Sequence, residues 1–459
     1  MRTRSILTAL SLLLATPLAL ATPPATPAPA ATAPAAASSS ATAGTVGDDN
    51  VSLKDIRHFA QVFQMVRQAY VEKVSSKTLM NDAIRGMLAG LDPHSAYLDK
   101  QGLKDLDEDT TGKYAGLGIE VLPVDGELKI VSPIDGTPAK QAGIQPGDTV
   151  LEIDGKPVDP QAVGDSIDQL RGKPGSHVHL LIARKGADKP LTFDIERKVI
   201  QVPSVKVDQV APGYAYIRIS QFQEDTASEL DDGLAAFIKK HGQPRGAILD
   251  LRSNPGGLVT AAVGTADTFL DGGTIVSTRG RLADANMSFS AHPGDMLHGA
   301  PLVVLVDHGT ASAAEIVSGA LKDHQRALII GQRTFGKGVV QTVLPLDAEH
   351  AVKITTARYY TPNGISIQAK GITPDIALAS LKVQQADHAP QLIGSESDLP
   401  NHLANEHPGK KAARTGNDGK LAERDYALSE ALNVLKGLSL AQRPPAGLPA
   451  PAVQPHPDH

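Results

Sequence analysis

Residues 301–346 read PLVVLVDHGTASAAEIVSGALKDHQRALIIGQRTFGKGVVQTVLPL, in which short apolar runs alternate with a segment of helical spacing. Leu302–Val306 is a short apolar run between a proline and a polar turn, which predicts a buried strand. Apolar residues at helical spacing over 312–321 predict a helix. A second apolar run at 327–330 then leads through glycines into a β-like segment that ends near Leu344. The alternation predicts an α/β core with a mainly parallel sheet.

Ser312 falls on the predicted turn from strand to helix, at the positive end of the helix dipole. The pair Ser312 and Glu315 also fits an ordinary capping box, which would mark only a helix start. A serine nucleophile on an exposed turn needs a base, and no histidine stands in a triad context nearby. Lys337 lies between two glycines, and a strand period of two would place it on one face with Val339 and Gln341. The set predicts a serine activated by a lysine.

Five short segments then match one family in the right order, across about residues 50–380. They are LDPHS at 91–95, DLRSNPGG at 250–257, TASAAE at 310–315, TFGKGVVQ at 334–341 and YYTPNG at 359–364. The chain resembles the carboxyl-terminal processing peptidases, also called tail-specific proteases, which use a serine–lysine dyad. Three positions depart from the family pattern: Thr310 and Ala314 replace serines, and Ile365 stands where arginine is expected.

The resemblance implies a role for each matched residue. Ser312 would be the nucleophile, Lys337 the general base and Gln341 the residue that orients the lysine. The amide of Ala313 and an amide of the Gly256–Gly257 pair would form the oxyanion hole, with the choice of glycine left open. The implied fold is a multidomain α/β and α+β protein, in which a ClpP/crotonase-like core carries N-terminal helices and an inserted PDZ domain.

Short strands and turns replace the helical pattern at about residues 114–197. Gly116, Leu117, Gly118 and Ile119 open an alternating run, and turn signals follow at 146–148 and 154–156. This order resembles a PDZ domain, which binds a peptide end as an added strand and holds its carboxylate with loop amides. The expected partners are therefore proteins or peptides with apolar C-termini. The competing interpretation of GLGI is a glycine-rich strand entry.

The composition excludes several classes of protein. The chain of 459 residues has a formal net charge of −6 and no basic block, so nucleic acid is not expected as a partner. It has no cysteine, which excludes a thiol nucleophile, disulfides and a lipidated cysteine. No metal-binding motif stands out, and we expect neither a metal nor a cofactor.

The N-terminus predicts export. Arg2 and Arg4 precede the apolar run 6–20, and the small residues at 19–21 offer a cleavage site before Thr22. The bacterial periplasm fits best. Membrane association through an uncleaved N-terminus remains an alternative, although the run is short for a span of ~20 residues. A homodimer is also left open.

The predicted organisation follows from these patterns and from changes in composition. The segments are a signal peptide (1–21), a disordered linker (22–48), a helical region (49–110), a PDZ domain (111–198), a protease core (199–380), a linker (381–420), a C-terminal helix (421–440) and a disordered tail (441–459). In the helical region, Ile56, Phe59, Phe63 and Val66 lie at core spacing.

Two other functions compete with the protease interpretation of the sequence. Gly331-x4-Gly336-Lys337 approaches a phosphate-binding loop, but Gly338 lacks the hydroxyl that would bind Mg²⁺, and β-like residues follow where a helix is needed. The non-enzymatic rival is an exported PDZ adaptor with an inert core. Loss of Ser312 or Lys337 would have marked that case, and both are present.

Overall fold

A computed structural model describes residues 50–381, 403 and 418–442. The predicted signal peptide and first linker, almost all of the second linker and nearly all of the tail lie outside the described residues. The chain divides into two compact units, residues 1–75 and 76–459. Within the described parts, no helix has both the length and the apolar character needed to cross a membrane.

The first unit contains one described helix, α1 (Leu53–Ala69). It starts at a reciprocal capping box that Ser52 and Asp55 form. The core spacing of its apolar residues suggested that they would be buried, and within the described residues they are not. Ile56 and Phe59 are each about half exposed, and α1 has no buried residue.

The second unit contains nine described helices. They are α2 (Ser76–Ala89), α3 (Lys100–Thr111), α4 (Pro138–Gln141), α5 (Val163–Leu170), α6 (Thr226–His241), α7 (Val259–Asp267), α8 (Ala313–Asp323), α9 (Asp418–Arg424) and α10 (Tyr426–Ala441). Helix α3 lies almost wholly within the predicted helical region, although no separate helix was predicted at its position. Helix α9 begins inside the segment predicted as a linker, so that boundary was wrong.

A six-stranded sheet forms the centre of the core. Its strands, in spatial order, are β10 (Val205–Ala211), β11 (Tyr214–Ile219), β12 (Gly246–Asp250), β15 (Leu302–Val306), β16 (Ala327–Gly331) and β19 (Ile376–Ala377). Only β10 pairs antiparallel, and the other four pairings are parallel. Every residue of β12 and β15 is buried, as expected for strands covered on both faces.

Helices cover the central sheet on both sides. Leu249 and Val304 pack into the larger cluster with residues of α6, α7 and α8. Ile248 and Val303 point to the other face, where they pack against α10 through Leu432 and Leu435. The C-terminal helix is therefore part of the core, a role that its sequence pattern alone did not indicate.

A second, antiparallel sheet lies beside the core helices. Its strands are β1 (Ala96–Leu98), β13 (Thr274–Gly280), β14 (Ser288–Ser290), β17 (Val339–Pro345) and β18 (Ala351–Tyr360). Strand β17 pairs with one edge of β18. Strands β1 and β13 pair with different parts of the other edge. This sheet carries the segment that follows Lys337.

The PDZ-like domain is inserted between two short paired strands, β2 (Lys113–Gly116) and β9 (Lys198–Gln201). Its own sheet consists of β3 (Ile119–Val124), β4 (Glu127–Pro133), β5 (Thr149–Ile153), β6 (Lys156–Pro157), β7 (His177–Ala183) and β8 (Leu191–Glu196). Strand β3 lies at one end of the strand order. The domain has a separate apolar core around Leu128, Val178 and Ile182.

Candidate active site

Three loops of the core begin at the same edge of the central sheet. β12 ends at Asp250, β15 at Val306 and β16 at Gly331, and the three strands are parallel neighbours. Their carboxyl ends therefore lie side by side, which is where sites form in such sheets. The loops that follow carry the glycine pair at 256–257, Ser312 and Lys337.

Ser312 occupies a strained turn at the start of α8. Its backbone has φ 55° and ψ −115°, a combination that non-glycine residues rarely adopt. The sequence predicted an exposed turn, and this was wrong: Ser312 is only 5% exposed, because the loops beside it close over the turn. Its hydroxyl lies at the buried ring of Tyr359. Burial raises the pKa of Tyr359, and a hydrogen bond with Ser312 acts in the opposite direction.

Glu315 joins the serine turn to the lysine loop. Its Oε2 accepts hydrogen bonds from the N–H of Ser312 at 2.8 Å and of Lys337 at 2.9 Å. Its Oε1 accepts from Gly336 N–H at 2.8 Å and from the hydroxyl of Thr334. The sequence suggested only a capping box for this residue. In the structure one carboxylate positions both proposed catalytic segments.

The charge of Glu315 is held without a cation. The side chain is fully buried, and burial raises its pKa, while the four hydrogen bonds favour the charged form. Three of the four donors are backbone N–H groups, which cannot accept a proton in return. The hydroxyl of Thr334 accepts from Ile372 N–H, so its own proton is directed at Glu315. This set of partners fits a carboxylate and leaves no acceptor for a carboxylic acid proton.

Lys337 lies in an environment that disfavours its charge. Burial lowers the pKa of its ammonium group, and Lys353 on β18 lowers it further, whereas Asp92 raises it. The apolar neighbours of Lys337 in the sequence are Phe335 and Val339. Val339 is buried, but Phe335 is 64% exposed, so Phe335 does not contribute to this burial. The neighbouring cation Lys353 was missed, because only the folding of β18 beside the lysine loop brings it close.

Gln341 does not follow the regular alternation that the sequence suggested. Lys337 precedes β17, and the register of β17 with β18 shifts between Val340 and Gln341. Val340 opposes Ala357 and Gln341 opposes Thr355, two residues on the same face of β18. The prediction that Lys337, Val339 and Gln341 share one strand face is therefore wrong. The bulge turns the side chain of Gln341 onto the face of Thr355, where its amide donates to the Thr355 hydroxyl at 3.3 Å.

The glycine pair lies against the serine turn. A Cβ on Gly256 would be 2.8 Å from Ser312 Cβ and 3.0 Å from Ala313 N, so only glycine fits there. The N–H of Gly256 is already bound to the side chain of Asn254 at 2.9 Å. The N–H groups of Gly257 and Ala313 have no hydrogen-bond partner among the described residues. These two N–H groups are therefore the ones available to bind an oxyanion.

Asp307 fixes the glycine loop to the serine turn. Its carboxylate accepts from Ser253 N–H at 2.7 Å and from Gly309 N–H at 2.9 Å. Burial would raise the pKa of Asp307, but hydrogen bonds from Ser253, Gly309 and Thr310 hold it below its usual value. Ser253 itself has a positive φ of 52°. The loop is thus held in a strained form by a partly buried anion.

No hydrogen bond joins Ser312 Oγ to Lys337 Nζ within residues 50–381, and none joins Gln341 to Lys337. What the structure brings together is their backbone segments, through Glu315. In the described parts of the chain, no group of three or more acidic or histidine side chains is arranged to hold a metal ion. A strand follows Lys337, so the segment is not a phosphate-binding loop.

The loop at Gly116–Ile119 forms one wall of a cavity of about 200 Å³. Helix α5 forms the other wall through Ile167 and Leu170, and Leu117 and Ile119 add apolar surface. The N–H groups of Leu117 and Gly118 have no partner among the described residues, while Gly118 C=O is bound by Ile134 N–H. A cavity with two free amides beside an edge strand suits the end of a peptide chain.

Comparison with protein families gives three matches along the chain. The model of peptidase family S41 matches residues 213–378, that of the PDZ domain matches 115–196, and that of the activating protease CtpB N-terminal domain matches 28–102.

Curated relatives agree with these matches. A carboxy-terminal-processing protease of Bartonella bacilliformis is 42% identical over 86% of this chain and 91% of its own length. The carboxy-terminal processing protease CtpA of Bacillus subtilis is 36% identical over 69% of this chain and 67% of its own. Among solved structures, a photosystem II D1 C-terminal processing protease aligns with 32% identity and a TM-score of 0.42, over 72% of this chain and 94% of the other.

Proposed function

Because this chain belongs to peptidase family S41 and is a carboxy-terminal processing protease of the serine type, we propose that Ser312 and Lys337 are its catalytic dyad. One observation carries the proposal. The buried carboxylate of Glu315 binds the backbone N–H of both residues, which holds the nucleophile and the base at one point of the sheet edge. Both residues are also present in the sequence, which does not favour an inert adaptor.

The proposed chemistry is acyl transfer. Ser312 Oγ attacks the peptide carbonyl, and Lys337 Nζ takes the serine proton and passes it to the leaving amine. The N–H groups of Ala313 and Gly257 then stabilise the oxyanion. Water attacks the acyl-enzyme, and the same lysine serves again as base. The hydrogen bond from Ser312 to Lys337 forms when substrate is bound, since catalytic contacts often tighten only in the complex.

The lysine must be neutral to act as a base. A free lysine has a pKa of about 10.4, and activity near pH 7 requires a decrease of about 3 units, or roughly 4 kcal/mol. Burial and the neighbouring Lys353 act in this direction. Because the neutral form is active, the rate rises as the pH rises through the lowered pKa of Lys337. A histidine base would instead give a rise near ~6.5.

Substitution of the dyad tests this assignment. We expect Ser312→Ala and Lys337→Ala each to abolish cleavage of an unstructured protein without unfolding the chain. The double variant should be little worse than either single one, because the two groups act as a unit. Gln341→Ala should keep partial activity, since it carries no proton. Near-normal turnover by folded Lys337→Ala would exclude the dyad.

We also propose that the PDZ domain selects substrates by an apolar C-terminus. The free amides of Leu117 and Gly118 would hold the terminal carboxylate, and the apolar walls of the cavity would take the last side chain. An amidated end lacks the charge that these amides bind, and a charged last side chain would lose its hydration.

Paired rates on matched peptides test this selection. The free-acid peptide with an apolar end should be cut faster than the same peptide with an amide or a charged last residue. Gly118→Val, whose side chain would collide with Thr137, should remove the preference while Ser312 remains reactive. Equal rates for all peptides with the unaltered protein would mean that the domain does not recognise the C-terminus of the substrate.

Export to the periplasm remains a proposal supported by the first 22 residues, with Arg2 and Arg4 before an apolar run and small residues at 19–21. The alternative to release by cleavage is retention at the membrane through an uncleaved N-terminus. A homodimer also stays open. N-terminal sequencing of the protein recovered from the cell envelope separates cleavage from retention. Thr22 as the first residue would support cleavage, and an intact Met1 would support an anchor.

A further inference from the structure

The turn at residues 92–95, for which the sequence alone indicates no chemical role, is hydrogen-bonded to β18, the strand that faces Gln341. Asp92 Oδ1 accepts from the N–H of His94 at 2.8 Å and of Ser95 at 3.0 Å. Asp92 Oδ2 accepts the hydroxyl proton of Ser95 at 2.8 Å. Ser95 Oγ in turn accepts from the N–H of Thr355, on β18, at 3.2 Å.

Thr355 connects this turn to Gln341. Its hydroxyl accepts from Gln341 Nε2 at 3.3 Å, and it lies on the side of β18 that the Ser95 hydroxyl ties to Asp92. Burial would raise the pKa of Asp92, but hydrogen bonds from Ser95, His94 and Thr355 hold it below its usual value. Asp92 is therefore a carboxylate, a group that can only accept.

The carboxylate sets the direction of the bonds that start from it: Ser95 donates its hydroxyl proton to Asp92 and therefore accepts from Thr355 N–H. The negative charge of Asp92 also attracts the single hydroxyl proton of Thr355. Gln341 accordingly presents its NH₂ group to Thr355 Oγ1. The carbonyl oxygen of Gln341 is left facing away from Thr355. An oxygen in that position can accept from a lysine amine, whereas an NH₂ group could not.

We propose that Asp92, Ser95 and Thr355 are positioning residues that fix the amide of Gln341, so that its Oε1 accepts a hydrogen bond from Lys337 Nζ. The inference rests on the roles proposed above for Lys337 and Gln341. A lysine amine that donates one N–H to Gln341 keeps its lone pair directed elsewhere, toward the serine hydroxyl. The N-terminal segment thereby completes the catalytic centre of the core.

The surroundings of Lys337 agree with this placement. Asp92 and His94 from the turn and Lys353 from β18 are the charged or titratable groups that act on its side chain. Lys353 lies two residues from Thr355 and shares its strand face. The lysine side chain therefore extends over the same part of β18 that holds Gln341.

Thr355→Val is the direct test, because valine keeps the shape of threonine and the backbone bond to Ser95 but removes the hydroxyl that accepts from Gln341. Its matched control is Thr356→Val, which breaks the bond of 2.7 Å between the hydroxyls of Thr342 and Thr356 on the same strand pair. On an unstructured protein substrate we expect Thr355→Val to lower kcat by about tenfold with little change in KM. Thr356→Val should stay near the unaltered rate, and Thr355→Ser should restore most of the loss.

A double variant separates positioning from general destabilisation. If Thr355 acts through Gln341, adding Thr355→Val to Gln341→Ala should cause no further loss of kcat. Should Thr355→Val fail to fold, Asp92→Asn serves instead, because asparagine can donate and so releases the direction of the amide. Additive losses, or normal kcat in folded Thr355→Val or Asp92→Asn, would overturn the inference. Ser312→Ala and Lys337→Ala are assayed in the same experiment. Activity in either of these variants would refute the proposed dyad itself.

Discussion

The carboxylate of Glu315 is the constraint on which the catalytic centre depends. It lies fully buried, with no cation paired to it in the described residues, and its two oxygens accept four hydrogen bonds. A buried charge without partners would cost several kcal/mol. The structure offsets this cost with N–H groups from the turn that carries Ser312 and from the loop that carries Lys337. The Ser312 turn and the Lys337 loop are therefore held side by side because both donate hydrogen bonds to the same buried carboxylate.

The rest of the fold serves to bring those segments to the same edge. Three parallel neighbours, β12, β15 and β16, end side by side, and each is followed by a loop of the centre. Strain at Ser312 and Ser253 is maintained by hydrogen bonds to the buried carboxylate of Glu315 and the partly buried carboxylate of Asp307. Helix α10 closes the opposite face of the sheet, and Arg252 links that helix to the glycine loop by ion pairs with Asp250 and Asp425.

Much of this could be predicted from the sequence, because it depends on local patterns. The apolar run of β15, the helix after Ser312 and the succession of strands and turns in the PDZ domain follow from periodicity and turn residues. The resemblance to the carboxyl-terminal processing peptidases is confirmed. The bulge that reorients Gln341 could not be predicted, since a register shift depends on the partner strand β18. The same holds for Lys353, Asp92 and Thr355, which come from distant parts of the chain. The burial of Ser312 likewise results from tertiary packing.

The most direct test of the account is the rate at which a serine-directed acylating reagent modifies Ser312 in the unaltered protein and in Glu315→Gln. Glutamine keeps the shape of the side chain but turns an NH₂ group toward backbone N–H donors. The exposed Glu349→Gln serves as the control, and thermal unfolding verifies that each variant is folded. The account predicts that acylation falls on the order of 10- to 100-fold in folded Glu315→Gln and is unchanged in the control. An acylation rate in folded Glu315→Gln equal to that of the unaltered protein would contradict it.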